Sequence, residues 1–202
     1  AYRQFQLYQQ ALAQLQAAGI DPPQKHMCNS GGSDWFRASF CNAVRIGRRL
    51  YMDNQAEPLT PGTPGAVQEA CSWRASVTNL RVVEAGDTVG YDAAWTAPRR
   101  TRVATVCVGY GDGLYYPLAE AGGPLLVGEQ RARLLATCMD QCFVDVTDIP
   151  CRAGDEVTFF GQSSGGAAMP IQELGKFMHV EGVYFYSFLS PRVARVYEGL
   201  EP

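Results

Sequence analysis

The chain has 202 residues, 47% of them apolar and 18% charged, which suits one large domain or two small ones with a sizeable buried core. Its 17 Lys and Arg against 20 Asp and Glu leave a formal charge of −3. That balance excludes a general nucleic-acid or polybasic membrane surface, since both need a basic excess to release counterions from phosphates; any anion site here must be local.

Residues 2–18, "YRQFQLYQQALAQLQAA", space Phe5, Tyr8, Leu12 and Leu15 at three- and four-residue steps with glutamines opposite, and Gly19 follows as a cap. This pattern predicts an amphipathic helix. "DPPQKHMCNSGGSDWF" then predicts a short strand, a small-residue turn over Asn29–Gly32, and a second helix beginning near Ser33 or Asp34. A second short strand is expected at Ala43–Ile46, closed by a turn at Gly47. Two successive strand-to-loop units resemble the last segments of an α/β barrel. The Pro- and Gly-rich stretch 53–66 marks a linker, so the expected organisation is a partial barrel over 1–66 and a β-rich domain over 67–202. In that second part, "SWRASVTNLRVV", "TRVATVCVGYGDG", "PLLVG", "RARLLATCMD", "CFVDVTDI" and "EVTFFG" read as strands between Gly turns, followed by a brief helix at 171–180 and an apolar segment "VYFYSFL".

The seven cysteines are scattered, form no C-x-x-C pair, and read as reduced, mostly buried thiols of a cytoplasmic protein. No metal site is expected from their spacing. The sequence holds no apolar run long enough to cross a membrane, and its glutamine-rich first residues do not resemble a signal peptide.

Chemistry concentrates at two donor-rich turns. "NSGG" offers the Ser30 hydroxyl and backbone N–H groups, and "RIGR" offers Arg45, Arg48 and a glycine at which backbone can approach a ligand closely. Pattern alone leaves two readings open: a local anion site at the open end of a barrel, or a flexible turn beside solvated arginines.

The same residues resemble a known family. "HMCNSGGSDWFRASFCNAVRIGRRLYM" looks like the H-x-x-N-S stretch and V-R-x-G-x-x-L-Y motif of the alanine racemase family. "AGDTVGYD", "VATVCVGYGDG", "CMDQCFVDVTDIPCRAGDEVTFFG" and "SPRVARVY" resemble its later motifs, in the family's order and over nearly the whole chain. The resemblance implies the last units of a pyridoxal-phosphate (PLP) α/β barrel of fold type III, then a β-rich domain, in a head-to-tail homodimer acting on a small amino acid. It implies that Ser30 and the backbone at Gly47 and Arg48 hold the cofactor phosphate, that Arg45 faces the pyridine nitrogen, and that His26 orients Arg45 with support from Asn29. Tyr91 matches the catalytic tyrosine supplied by the partner subunit, Met139 the residue whose N–H meets the substrate carboxylate, and Tyr110 the tyrosine at the substrate entrance. Asp112 and Asp140, within the same motifs, read as turn and network residues, and His179 as a residue without a role.

The chain also departs from the family pattern. Lys25 and Lys176 are its only lysines, and neither lies in a stretch resembling the family's PLP-lysine motif. A tyrosine that helps hold the phosphate aligns with Val183, which leaves the adjacent Tyr184 as the candidate and implies a larger pocket, as in relatives that accept serine. Tyr116 replaces an arginine near the entrance, and Ala194 replaces a proline. The expectation is therefore the C-terminal portion of an alanine- or serine-type racemase, inactive by itself because its lysine lies elsewhere. It would be a piece of a longer enzyme, one chain of a split enzyme, or a remnant without catalysis. The alternative function is a dimerisation or scaffolding domain.

Overall fold

The computed structural model describes residues 2–35, 41–51 and 69–199. The chain forms two compact units, Ala1–Ala70 and Cys71–Pro202; the expected linker at 53–66 lies outside the described residues.

In the first unit, helix α1 spans Tyr2–Ala17. Phe5, Tyr8, Leu12 and Leu15 are its four half-buried positions, as the helical spacing requires, and the rest of the helix is exposed. It ends at Gly19, whose φ of 77° lets Ile20 N–H return to Leu15 O at 2.9 Å. The two expected strands meet as a single parallel bridge between His26 and Ala43, extended by Arg45 N–H to Cys28 O at 2.9 Å. Pro22 and Pro23 have no N–H to add to the ladder, which keeps the pairing short.

Helix α2 runs Ser30–Trp35, starting earlier than the expected Ser33 or Asp34. Asn29 is the reason: its Oδ1 accepts Gly32 N–H at 2.9 Å and its carbonyl accepts Ser33 N–H at 2.9 Å. This side-chain cap draws both glycines of the supposed turn into the helix.

The second unit is built on strands β1 (Trp73–Val83), β4 (Thr101–Val106), β5 (Pro124–Val127), β6 (Gln130–Thr137), β7 (Cys142–Asp145) and β8 (Glu156–Gln162). They pair antiparallel in the order β1-β4-β7-β6-β5-β8, and β8 pairs back with β1, so the six strands close into a barrel. Closure needs β1 to serve two neighbours. Its residues 73–76 face β8 and 77–83 face β4, with register shifts at Trp73/Arg74 and Val77/Asn79 that re-aim the strand. A small ribbon, β2 (Thr88–Val89) with β3 (Trp95–Thr96), stands apart from the barrel sheet. Strand β9 (Ala168–Met169) extends β8, and helices α3 (Tyr116–Glu120), α4 (Ile171–Met178) and α5 (Val183–Phe188) complete the unit. The two-residue strands and α3 carry too few residues for a periodic signal, so sequence pattern does not reveal them.

The core lies inside this barrel and under its helices. Val103, Ala104, Val106, Cys142, Val144 and Val157 are fully buried, and β4 and β8 bury both faces almost continuously. A second cluster joins Val83, Val89, Ala97, Val103, Leu135, Ala136 and Phe143, with Trp95 and Cys138 packed on its edge. It anchors the β2–β3 ribbon, and so the turn that carries Tyr91, to the barrel.

Candidate active site

The two units each carry one set of the residues singled out above. In the first unit, the parallel bridge brings the "NSGG" and "RIGR" turns side by side. Gly47 N–H donates to Ser30 Oγ at 3.1 Å, which leaves the hydroxyl proton free to point at an anion. A Cβ built on Gly47 would meet nothing within 4 Å, so open space adjoins the peptide at this point. Arg48 opens a single turn of 3-10 helix, Arg48–Leu50, closed by Leu50 N–H to Gly47 O at 2.9 Å.

Arg45 is exposed and held by two acceptors. Its Nη1 donates to His26 Nδ1 at 2.9 Å and to Met27 O at 3.3 Å. Because guanidinium only donates, His26 Nδ1 must accept, which fixes the imidazole as the tautomer protonated at Nε2. His26, Asn29, Ser30, Arg45, Gly47 and Arg48 thus fall in one neighbourhood, with Asn29 acting as the α2 cap. Lys25 is close in sequence but its Nζ lies 2.7 Å from Asp21, in a charge pair.

In the second unit, Tyr91 follows Gly90, whose φ of 88° and contact distance of 2.7 Å from a built Cβ to Ala136 Cβ admit only glycine. The turn leaves Tyr91 60% exposed. Cys138, then desolvation, Tyr110 and Asp140, raise the phenol above its ordinary value, so these groups surround it. Tyr110 and Met139 are exposed as well. They are joined through backbone: Tyr110 N–H donates to Cys138 O at 3.0 Å and Gly111 N–H to Met139 O at 2.8 Å. Tyr110 also packs edge-on to Tyr116 at 6.0 Å.

Tyr184 lies on the exposed side of α5, next to half-buried Val183; it belongs to the second unit, whereas the other phosphate candidates belong to the first. Sequence reasoning read Asp112 and Asp140 as turn and network residues and passed over their partners Arg192 and Cys138. Cys138 and Asp140 form the electrostatic surroundings of Tyr91. Arg192 pairs with Asp112, its Nε 3.3 Å from Oδ1; its place in "SPRVARVY" was the available signal. Among the described residues no cluster suits a metal ion, and no helix is long and apolar enough to cross a membrane.

Comparison with known proteins points to one family. Residues 1–55 match the alanine racemase N-terminal domain and residues 70–197 the alanine racemase C-terminal domain. The chain is 32% identical over 198 residues to the alanine racemase of Desulforamulus reducens, covering 97% of this chain and 52% of that protein. It is 34% identical over 180 residues to the biosynthetic alanine racemase of Pseudomonas aeruginosa, covering 88% and 48%. It thus spans about half the length of these relatives. The crystal structure of alanine racemase from D-cycloserine-producing Streptomyces lavendulae superposes with a TM-score of 0.81 at 27% identity, over 98% of this chain and 52% of that one. The Pseudomonas aeruginosa biosynthetic enzyme superposes with 0.73 at 33% identity, over 91% and 50%. The end of an α/β barrel followed by a closed β domain is therefore the shared architecture, and the chain belongs to the alanine racemase family.

Proposed function

We propose that these residues form the C-terminal portion of a PLP-dependent amino-acid racemase that moves the α-proton between two bases. The supporting observation is the first unit's donor set: the Ser30 hydroxyl beside Gly47 N–H, with Arg45 held by His26. That set fits PLP, since a hydroxyl and a backbone N–H at an open glycine suit a phosphate, and a fixed guanidinium suits a pyridine nitrogen. Ser30, Gly47 and Arg48 would hold the phosphate, Arg45 the ring nitrogen, with His26 and Asn29 positioning them and Tyr184 as a further phosphate candidate.

PLP, when bound, supplies an electron sink that acidifies the substrate α-carbon. Arg45, whose guanidinium can only donate, would donate to the ring nitrogen and keep it unprotonated, which would moderate that sink and suit simple proton exchange. Tyr91 holds a proton at Oη under the influence of Cys138, Tyr110 and Asp140, and so enters as the donor to one face of the α-carbon. For the reverse direction it must be ionised. Met139 N–H would bind the substrate carboxylate, and Tyr110 with Tyr116 would line the entrance. We assign the second base to a lysine in the part of the family's chain these residues do not match, and the assembly to a head-to-tail homodimer in which Tyr91 serves the partner's cofactor. Val183 in place of tyrosine gives room for a side chain larger than that of alanine, so serine is a candidate substrate beside it.

The test is direct. Protein carrying these residues, supplied with PLP and L-alanine or L-serine, is assayed for the D-enantiomer; Tyr91→Phe should remove racemisation while PLP stays bound. Failure of the unaltered protein to bind PLP would favour a dimerisation or scaffolding role instead.

A further inference from the structure

The "GYGDG" turn, Gly109–Gly113, is pressed between two segments. On one side, Gly109 and Gly111 meet the Cys138–Met139 backbone; a Cβ on Gly109 would lie 2.3 Å from Cys138 O, and one on Gly111 2.9 Å from Met139 O. On the other, Gly113, at φ 110°, abuts Phe188 O, 2.2 Å from a built Cβ. Asp112 joins the two sides. Its Oδ2 accepts Gly109 N–H at 2.9 Å, its Oδ1 faces Arg192 Nε at 3.3 Å, and its carbonyl accepts Ser190 N–H at 3.0 Å. The carboxylate is nearly buried, with 12% of its side chain exposed. The tail that presents Arg192 is itself fastened by Arg195, which donates to Val193 O at 2.8 Å, Leu189 O at 3.3 Å and Ser190 O at 3.4 Å.

A buried carboxylate with one charged partner and one backbone N–H is a costly group that sets geometry sharply, because removing either partner leaves it unsatisfied. Here the geometry it sets is that of the Gly109 peptide, from which the next two N–H groups reach Cys138 O and Met139 O. We propose that Asp112 and Arg192 are positioning residues that hold the Cys138–Met139 peptide, and with it the Met139 N–H and the Tyr110 ring, in the orientation that binds substrate. This rests on the racemase reading above. It assigns the first arginine of "SPRVARVY" to the active site through the turn, though it touches no substrate.

The experiment has two arms. Amide hydrogen exchange on the chain itself needs no activity: Asp112→Ala should speed exchange at Tyr110 and Gly111 by roughly tenfold or more while β4 and β7 amides keep their protection. Asp112→Asn, the milder variant if Asp112→Ala fails to fold, should give a smaller increase at the same two amides, and Arg192→Lys should restore wild-type exchange where Arg192→Gln does not. In PLP-loaded racemase, Asp112→Asn and Arg192→Gln should raise KM roughly tenfold with kcat within about threefold, since a carboxylate contact is made in ground and transition states alike. Unchanged exchange at Tyr110 and Gly111 overturns the clamp. Faster exchange with unchanged KM overturns the positioning role. Absence of racemisation in the unaltered protein overturns the function reading instead, and is told apart because the exchange arm is then still read.

Discussion

Gly109→Ala should loosen the second unit through contact alone. Gly109 has φ −135° and ψ −169°, extended backbone that any residue adopts, so the whole cost is contact rather than strain. The added Cβ would lie 2.3 Å from Cys138 O and 2.4 Å from both Met139 C and Met139 O. These are backbone atoms just past the end of β6 and cannot rotate aside, so the turn must move. Movement breaks the Tyr110 N–H and Gly111 N–H bonds to Cys138 O and Met139 O, at about 1 kcal/mol each, and relieving the overlap costs about 1–3 kcal/mol more. A total of about 3–5 kcal/mol lowers the melting midpoint by about 6–20 °C in a chain of this size. Gly47→Ala is the control, because nothing lies within 4 Å of its Cβ, and its midpoint should stay within about 2 °C of wild type. Calorimetry of both variants is the assay. Gly109→Ala melting alongside the control would refute the close-approach reasoning.

Other outcomes follow from single groups. Ser30→Ala removes the acceptor of Gly47 N–H and a phosphate donor; it should weaken PLP binding roughly tenfold in a fluorescence titration while leaving the melting midpoint almost unchanged. Burial alone would raise the Glu156 carboxyl, but the Ser164 hydroxyl and N–H, Arg74 and Thr158 outweigh it and hold its pKa below the ordinary value. Its stabilising effect is therefore present above the ordinary glutamate range and lost as pH falls through the lowered folded value, and Glu156→Gln should flatten that part of the acid-stability curve. Tyr91, raised by Cys138 first and then by desolvation, Tyr110 and Asp140, should ionise above the usual tyrosine value of about 10 in the difference absorbance between wild type and Tyr91→Phe; ionisation below that value contradicts the proton-donor role. Exposed Cys107 should react with a maleimide in the native chain, whereas Cys142, whose thiol is raised above all by burial, should react only after unfolding.

The sequence showed most of this architecture where its signals are periodic. The spacing of Phe5, Tyr8, Leu12 and Leu15 matches the half-buried stripe of α1, and the six long strands of the second unit stand where alternating and apolar runs lie between Gly turns. Closure was not visible, because the return of β8 to the first residues of β1 is a pairing between distant segments set by register shifts rather than by composition. The start of α2 was misplaced because a single Asn29 side chain outweighs the turn preference of two glycines. At the site, family motifs singled out His26, Ser30, Arg45 and Gly47, which the fold brings together, and Tyr91, Tyr110 and Met139 in the second unit. The thiol and carboxylate around Tyr91, and the Arg192 pair on Asp112, join residues far apart in sequence, and only folding brings them together.

The central claim is that one active site takes Ser30 and Arg45 from one subunit and Tyr91 from the other. Mixed dimers test it most directly. Subunits bearing Ser30→Ala with Arg45→Ala are combined with subunits bearing Tyr91→Phe, each inactive alone, and D-amino acid production is measured after subunit exchange. Head-to-tail sites predict recovery of about a quarter of wild-type activity, since half of the dimers are mixed and each mixed dimer regains one of its two sites. No recovery beyond the two parent variants would show that the groups act within a single chain and would contradict the account.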